Sequence, residues 1–426
     1  MTSTMTHSPA ATSRLLRAGW TDLASHRRAY GPLPRLGGSA VIDLVNRAGL
    51  TGRGGAGFPT GRKLAAVATA GQRRRGGRPV VVGNAAEGEP ASAKDRVLLT
   101  TSPHLVLDGL QLAAAAVGAG RAYLYVNPHS AASARAALAE RTDPVRVTLV
   151  DAPDRFISGQ ESAVVARIEG RPAIPRDTPH RVVESGVRGA PTLVQNVETL
   201  AHLALVTRYG PTWFRQVGTP DEPGTFLASV SGAVRTPGVY EAPLGIPLGQ
   251  LYELAGGLRS PVQAVLVGGY HGAWLPPDGT LPLSRAGLRP YGASPGAGVV
   301  VALPYGVCGL AESARVVSYL AGQSARQCGP CLNGLPRMAD TLTRLAWSPP
   351  LSTAAHRGRG RQSAAPPDPR LPGEVARLAS LVTGRGACAH PDGTARFVTS
   401  TLRTFDAEVR AHLAGYCTAT AYRRAG

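Results

Sequence analysis

The fold class is decided by one stretch of the sequence, residues 79–90, which read PVVVGNAAEGEP. Residues 79–83 form a short apolar run that predicts a buried strand. Asn84, Glu87 and Glu89 follow directly, at the carboxyl end of that strand. Because α/β sheets bind ligands at the carboxyl ends of their strands, the stretch predicts a ligand site at a sheet edge. A solvated acidic turn is the alternative interpretation.

Helical and strand patterns alternate on either side of this strand. We predict helices at residues 41–50, 105–118 and 130–141, and strands at residues 121–126 and 145–150. This alternation is typical of an α/β layer with a largely parallel sheet.

The pattern changes near residue 220. Short β-like segments separated by Gly and Pro cover residues 225–303, and helical patterns return from residue 310 onward. We therefore predict four parts: a lead-in at 1–39 that is extended over 14–36, an α/β domain at 40–220, a small α+β domain at 221–305, and a helical domain at 306–426 with a Pro-, Arg- and Ser-rich loop at 348–372.

The composition is that of a folded protein without a membrane span. The chain has 426 residues and 43% hydrophobic content, enough to bury a full core. Its apolar runs are shorter than the roughly 20 residues that cross a bilayer, and its first residues lack the pattern of a signal peptide. We expect a cytoplasmic location, with peripheral attachment to a membrane complex as the alternative. Five cysteines are too few for a disulfide framework.

The charge is strongly positive and carried by arginine. The formal net charge is +19, and Lys63 and Lys94 are the only lysines. The arginines are scattered and aromatic residues make up only 5%, which argues against a nucleic-acid surface. An acidic protein partner fits this charge better.

Three further segments carry polar or glycine-rich motifs. Residues 52–63 read GRGGAGFPTGRK, where closely spaced glycines, a helix start and Lys63 suit a phosphate. A flexible glycine linker is the alternative for this loop. Residues 156–162 read FISGQES, and residues 191–199 read PTLVQNVET ahead of a predicted helix.

Together the four segments resemble the FMN- and NADH-binding flavoprotein subunit of respiratory complex I and its relatives among soluble hydrogenases and formate dehydrogenases. Residues 230–234 and 237–240, which read VSGAV and PGVY, resemble the start of that family's soluble-ligand-binding domain. Residues 328–331 and 386–389, which read CGPC and GACA, resemble its iron-sulfur region. The resemblance implies a Rossmann-like FMN-binding domain, a β-grasp domain and a C-terminal helical bundle.

The resemblance also implies the cofactor contacts. Glu89 and Glu161 are the candidates for positioning the nicotinamide ribose and carboxamide. The implied FMN and nucleotide contacts are Gly54, Gly55, Gly57, Phe58, Lys63, Asn84, Glu87, Glu89, Gly159, Gln160, Glu161, Asn196 and Thr199.

The sequence departs from the family around the flavin and the nucleotide. Ala86 and Gln160 replace carboxylates, and a less negative pocket predicts a raised FMN potential. Ala65 or Ala66 replaces an aromatic residue, and Thr178 and Arg181 replace a Lys and a Phe. Because Arg181 is able to stack on adenine or bind a 2′-phosphate, NADPH is an alternative donor to NADH.

The largest departure is in the iron-sulfur region. The family holds a [4Fe-4S] cluster with Cys-x-x-Cys-x-x-Cys and a distant fourth Cys, and each iron needs one thiolate. Here the resemblance gives Cys328, Cys331 and Cys388 as ligands, while Gly334 stands at the third position. The fourth ligand would be His390, Asn333, water or a residue of a partner. A cluster-free or zinc-bearing helical cap is the alternative.

The implied activity is that of an NADH dehydrogenase-type oxidoreductase. FMN would accept a hydride from NAD(P)H, and electrons would pass to an iron-sulfur cluster or to a ferredoxin-like or other acidic electron carrier. Hydride transfer requires no acid or base, so the sequence predicts no catalytic side chain. The alternative is a structural or regulatory subunit that keeps the fold, with or without FMN, but neither oxidises NADH nor holds a cluster.

Overall fold

The computed structural model describes residues 13–16, 21–73, 77–177, 180–346 and 366–425. Its first domain is built around a parallel sheet of strand order β3-β2-β1-β4. The elements of this domain are α1 Leu23–Tyr30, α2 Gly38–Ala48, α3 Thr60–Arg73, β1 Val80–Ala85, α4 Lys94–Thr101, α5 Pro103–Val117, β2 Arg121–Val126, α6 Pro128–Ala139, β3 Val147–Asp151, α7 Glu161–Ile168, β4 Thr192–Asn196 and α8 Val197–Phe214.

Strand β1 lies inside the sheet and is covered on both faces. Val80 and Val82 pack on one face, and Val81 packs into the core on the other. This follows from the two-residue period of a strand, which sends successive side chains to opposite faces. The continuous apolar run is therefore what a doubly covered parallel strand requires.

The N-terminal segment differs from the sequence prediction. The prediction of an extended chain over residues 14–36 is wrong, because α1 forms there with Asp22 as its N-cap, whose carboxylate accepts the Ser25 N–H at 2.8 Å. His26 Nε2 then lies 2.8 Å from Asp108 Oδ2 on the buried helix α5. Asp108 also pairs with Arg141 at 2.7 Å. This buried cluster of charged groups anchors α1 to the α/β domain.

The second domain has a mixed sheet of strand order β6-β5-β9-β7-β8, in which β5 and β9 are parallel and the other pairs antiparallel. It contacts the first domain through Leu227, whose N–H donates to Glu198 Oε1 at 2.9 Å. Its elements are β5 Thr225–Gly232, β6 Gly238–Pro243, α9 Leu248–Leu254, β7 Val262–Val267, β8 Ala273–Leu275, α10 Arg285–Leu288 and β9 Val299–Pro304.

The third domain is helical. Residues 390–413 form two helices that are separated at Phe405. Residues 348–365 of the predicted loop lie outside the described residues, and its last two residues begin a helix. The elements are α11 Gly309–Gly322, α12 Leu335–Leu345, α13 Leu371–Val382, α14 His390–Thr404, α15 Asp406–Leu413 and α16 Thr418–Ala425.

Throughout the described part of the chain, no helix combines the length and the apolar character needed to cross a membrane.

Candidate functional site

In chain order the four motifs are residues 52–63, 79–90, 156–162 and 191–199. The amide side chains of the second and fourth motifs meet at one sheet edge. Asn84 in β1 and Asn196 in β4 are register partners. Asn196 Nδ2 donates to Asn84 O at 3.3 Å and to Asp95 Oδ2 at 2.7 Å, while Asn196 Oδ1 caps α8. The strand pairing therefore places both amides at the carboxyl ends of adjacent strands.

The third motif packs against the second. Asn84 Nδ2 donates to Gly159 O at 2.8 Å, and a Cβ added at Gly159 would lie 3.1 Å from Ala86 O. Gln160 Oε1 accepts the N–H groups of Ser162 at 2.8 Å and Ala163 at 3.1 Å, so it caps α7. Gln160 thus serves the helix, and Gly159 permits the close approach of the two motifs.

The glycine loop lies over the start of α8. The Gly52 N–H donates to Phe58 O at 2.9 Å and closes the loop. The Arg53 N–H donates to Thr199 Oγ1 at 2.8 Å, and a Cβ at Gly54 would lie 3.2 Å from the Asn196 Cβ. Thr199 is completely buried, so it supports the loop from below.

Two glycines of this loop have conformations that favour glycine. Gly55 has φ 109° and Gly57 has φ 58°, both in the region that side chains disfavour. A Cβ at Gly57 would also lie 1.7 Å from Nη2 of Arg285, which belongs to the second domain. The loop is therefore held between the two domains, with the Arg285 guanidinium packed against the backbone of Gly57.

Lys63 joins the first and third motifs. Its Nζ donates to Val194 O at 2.8 Å and forms an ion pair with Glu161. The Lys63 side chain is 16% exposed and that of Glu161 is 43% exposed. An ammonium, two amides and a glycine-loop backbone share this sheet edge, a donor set that fits the phosphate and polar edges of a flavin mononucleotide.

Glu87 caps helix α4. Its Oε1 accepts the Ser92 hydroxyl at 2.6 Å and the Asp95 N–H at 3.1 Å, and its Oε2 accepts the Arg96 N–H at 3.2 Å. Glu87 was predicted to contact a cofactor. In the structure its carboxylate instead holds the segment that follows β1.

Glu89 connects the α/β domain to the second domain. Its carboxylate accepts the Tyr270 N–H at 2.8 Å and the Ala91 N–H at 3.2 Å. Burial raises the pKa of Glu89 to about 7, although these two N–H groups oppose the shift. The charge on Glu89 therefore changes near neutral pH.

A buried charge network under the site was not among the sequence candidates. Lys94 is 3% exposed, and its Nζ lies 2.6 Å from Asp95 Oδ1, 3.1 Å from Asn196 Oδ1 and 3.0 Å from Glu198 Oε2. Burial opposes the charge of Lys94, but Asp95 and Glu198 raise its pKa above the ordinary value. The sequence signal for this network was the presence of Lys94 in a chain whose other basic residues are nearly all arginine. The network fixes Asn196.

Three of the residues expected on the nucleotide side are exposed. Phe58 is 50% exposed at the end of the glycine loop, with the Arg62 guanidinium 5.8 Å from its ring centre. Ala66 and Arg181 are also exposed, whereas Thr178 lies outside the described residues.

The three candidate iron ligands lie in one region of the helical domain. Cys331 is buried, and Cys328 and Cys388 are half-buried. Burial raises the pKa of Cys328, but backbone N–H groups led by that of Ala387 bring it below its ordinary value. Burial and the neighbouring Cys328 raise the pKa of Cys331 to about 12, and burial also raises that of Cys388.

His390, one of the residues expected as the fourth ligand, already has partners for both ring nitrogens. His390 is buried with both ring nitrogens engaged, Nε2 at 2.9 Å from Leu320 O and Nδ1 at 3.1 Å from His271 Nε2. A Cβ at Gly334 would lie 2.3 Å from Val382 Cγ1, so position 334 faces helix α13. The chain therefore offers three thiolates here, which does not fit a [4Fe-4S] cluster held by four cysteines of one chain.

Family models match all three domains. The model of the Nuo51 FMN-binding domain matches residues 45–205, and the SLBB domain matches residues 227–269. The NADH-ubiquinone oxidoreductase-F iron-sulfur binding region matches residues 311–412. These matches, with the donor set at the sheet edge, define an FMN-binding electron-transfer flavoprotein.

Curated relatives and solved structures identify the family. An F-type subunit of the NADH-quinone oxidoreductase of Rhizobium meliloti is 32% identical over 398 residues, with 88% of each chain covered. The F-type subunit of the Escherichia coli enzyme is 29% identical over 427 residues, covering 92% of this chain and 89% of that protein. The chain belongs to the family of complex I flavoprotein subunits of the 51 kDa type.

The fold agrees with a solved relative. The NAD+-reducing [NiFe]-hydrogenase in its H2-reduced state matches with a TM-score of 0.77 and 30% identity, over 88% of this chain. The match spans 63% of that hydrogenase chain's length. The α/β fold with its parallel sheet and helical C-terminal region, the family, and the function of an NADH-linked FMN flavoprotein with an iron-sulfur region are confirmed.

Proposed function

We propose that this chain binds FMN at the carboxyl edge of its first sheet, reduces it with NADH or NADPH, and delivers the electrons to an iron-sulfur partner protein. The observation that carries the proposal is the convergence of Lys63, Asn84, Gly159 and Asn196, from four separate motifs, at one edge. When bound, FMN supplies hydride acceptance followed by release of single electrons.

The residues of the chain have distinct parts in this proposal. The glycine-loop amides and Lys63 hold the phosphate, and the Asn84 and Asn196 amides face the polar edges of the flavin. The half-exposed carboxylate of Glu161 lies beside Lys63, where it is open to a nucleotide ribose. Phe58 offers an exposed ring for stacking with the nucleotide.

The choice of nucleotide depends on Arg181. It is exposed and replaces the aromatic residue that the family uses for adenine, so it supplies either a stacking plane or a partner for a 2′-phosphate. Stopped-flow reduction of the FMN-loaded chain by NADH and by NADPH tests both. Arg181→Ala should weaken binding of the preferred nucleotide about tenfold, while Arg135→Ala, at an exposed position of α6, should not.

The partner is proposed to be an acidic electron carrier. The net charge of +19 favours docking of a negatively charged protein, and association between opposite charges weakens as salt rises. The rate of electron transfer from the reduced chain to an acidic ferredoxin should fall steeply with ionic strength. A rate independent of ionic strength would argue for a neutral docking surface.

A non-catalytic role is the second candidate. It is favoured by the three-thiolate region, where Gly334 faces Val382, and by alanine at positions 65 and 66 in place of an aromatic ring. The same stopped-flow experiment separates the two functions: FMN-loaded protein that neither nucleotide reduces has a structural role.

A further inference from the structure

Four side chains with metal-binding atoms meet inside the helical domain, apart from the three thiols above. They are Cys308, Glu408, His412 and Cys417, and their ligand atoms all lie within 4.8 Å of one another. Each is at most 8% exposed. This is a closed group without an open coordination position toward solvent.

The distances within the group match those between the ligands of one small cation. Cys308 Sγ lies 3.5 Å from His412 Nε2 and 3.7 Å from Glu408 Oε1, and the last two atoms are 2.9 Å apart. Ligand atoms at the corners of a tetrahedral zinc site, at the usual bond lengths, are about 3.4–3.8 Å apart. Of these three distances, only that between the imidazole and the carboxylate is shorter, because a hydrogen bond joins the two groups. Cys417 Sγ lies within 4.8 Å of the other three ligand atoms.

The surrounding groups orient the ligands. His412 Nδ1 donates to Leu345 O at 3.1 Å, so Nε2 is the ring nitrogen that faces the centre of the group. The Thr418 N–H donates to Glu408 Oε1 at 3.1 Å, and the Thr418 hydroxyl donates to the other oxygen of Glu408. The Ala311 N–H donates to Cys308 Sγ at 3.4 Å at the start of α11. Such second contacts are typical of protein metal sites.

The chemistry of the four ligand atoms favours zinc. A buried carboxylate beside two thiols is costly unless a positive charge balances it. In the described part of the chain, the ion pair of Glu408 is with His412, and a dication bound by both side chains would replace that pair. Two sulfur atoms, one imidazole nitrogen and one carboxylate oxygen in a closed group suit Zn²⁺ better than Mg²⁺ or Ca²⁺.

We propose that Cys308, Glu408, His412 and Cys417 form a structural zinc site. Its ligands come from the start of α11, from one face of α15 and from the residue before α16. The zinc joins the C-terminal helices to α11, and His412 also connects to the end of α12. Because the four ligands fill a tetrahedron, the ion stabilises this end of the domain and does not bind substrate.

Metal analysis of the purified full chain tests the site against the other thiol group. Wild type and the triple variant Cys328→Ser/Cys331→Ser/Cys388→Ser should each carry about one zinc per chain. Cys417→Ser and Glu408→Gln should lose it. Two results would overturn the proposal. One is loss of zinc in the triple variant together with its retention in Cys417→Ser and Glu408→Gln, and the other is a folded wild type without zinc after expression in zinc-supplemented medium.

A milder variant keeps the test valid if a ligand variant fails to fold. Thr418→Val preserves every ligand and removes only the hydroxyl that holds Glu408. Its zinc affinity, measured by competition with a chelating indicator, should fall about 10- to 100-fold. Cobalt-substituted protein should show the intense visible bands of a tetrahedral thiolate site, retained in the triple variant. Unchanged affinity in Thr418→Val, or octahedral cobalt bands, would contradict a four-ligand site.

Discussion

The carboxyl edge of the first sheet, where FMN is proposed to bind, and the helical domain keep their functional side chains in different ways. We call these two regions the flavin edge and the helical end. At the flavin edge the motifs hold one another: Lys63 pairs with Glu161, and Asn84 bonds the backbone of Gly159. Ala86 and Gln160 stand there at positions where the family resemblance implies carboxylates, and the edge is assembled because its contacts use backbone and neighbouring motifs. A thiolate cluster has no such tolerance, since each iron needs its own ligand.

The helical end shows the contrast most clearly in its two cysteine groups. Cys328, Cys331 and Cys388 follow a familiar spacing but supply three ligands. The Cys308 group has no recognisable spacing but brings together four. Retained cysteines therefore do not by themselves indicate a retained site, and the geometry around each thiol decides what it can bind.

The largest expected effect is restoration of the iron cluster by a single cysteine. A run of three cysteines spaced by two residues is completed either at residue 334 or at residue 325. The backbone N–H of Ala325 hydrogen-bonds Cys331, whereas a Cβ at Gly334 would collide with Val382. Ala325→Cys should raise iron toward four atoms per chain after anaerobic reconstitution, with the brown absorption of a cluster.

Gly334→Cys is the matched control. It should gain no cluster and should lower the free energy of unfolding by about 1–3 kcal/mol, because the added atoms overpack the contact with α13. Iron uptake by Gly334→Cys but not by Ala325→Cys would reverse the assignment of the missing ligand.

The next effect concerns the flavin edge. Lys63→Gln should weaken FMN binding about 10- to 100-fold, because a hydrogen bond from a charged donor contributes about 1.5–3 kcal/mol. Fluorescence titration of the apoprotein with FMN measures this. Arg47→Gln removes a cation from the exposed side of α2 and should leave the affinity unchanged. Equal affinities for the two variants would show that the ammonium does not contact the phosphate.

The sequence predicted the sheet and the motifs better than their connections. The run at residues 79–83 was apolar enough to predict β1. Strand β4, Thr192–Asn196, was not predicted because it is short and ends in polar residues. The lead-in was predicted as extended because α1 is rich in polar and basic residues and is held by a distant buried Asp108. Such long-range ion pairs leave no local pattern.

The candidate site was predictable where residues adjoin within motifs and unpredictable where segments meet. Lys63 and Glu161 were both expected to contact the flavin, but their pairing depends on how α3 and α7 pack. The Cys308 group unites one residue near the start of the helical domain with three near its end. The one local signal was Glu408 and His412, one turn apart on a helix face.

A smaller effect should separate the cysteines by reactivity. Cys328 is half-buried with a lowered pKa, while Cys331 is buried with a pKa raised to about 12. Since the thiolate is the nucleophile, Cys328 should react with iodoacetamide at least about tenfold faster than Cys331 at pH 8. Peptide mass spectrometry after short pulses measures both rates in one sample. Faster labelling of Cys331, or of Cys308 and Cys417, would contradict the structure at this end.

The smallest effect is a pH dependence set at the flavin edge. The pKa of Glu89 is about 7 in the folded chain, above the ordinary 4.5. Between pH 4.5 and 7 the unfolded chain releases the Glu89 proton while the folded chain keeps it. The free energy of unfolding therefore falls as the pH rises from 4.5 to 7, and Glu89 causes no further change above pH 7. Glu89→Gln should remove a difference of about 1–3 kcal/mol in the free energy of unfolding between pH 5 and pH 7.5, measured by denaturant unfolding.

Glu253→Gln, at an exposed position of α9, is the control and should keep the pH dependence of the wild type. If Glu89→Gln also keeps that pH dependence, Glu89 is ionised over the whole pH range. Because Glu89 accepts the Tyr270 N–H, this titration acts on a contact between the α/β domain and the second domain.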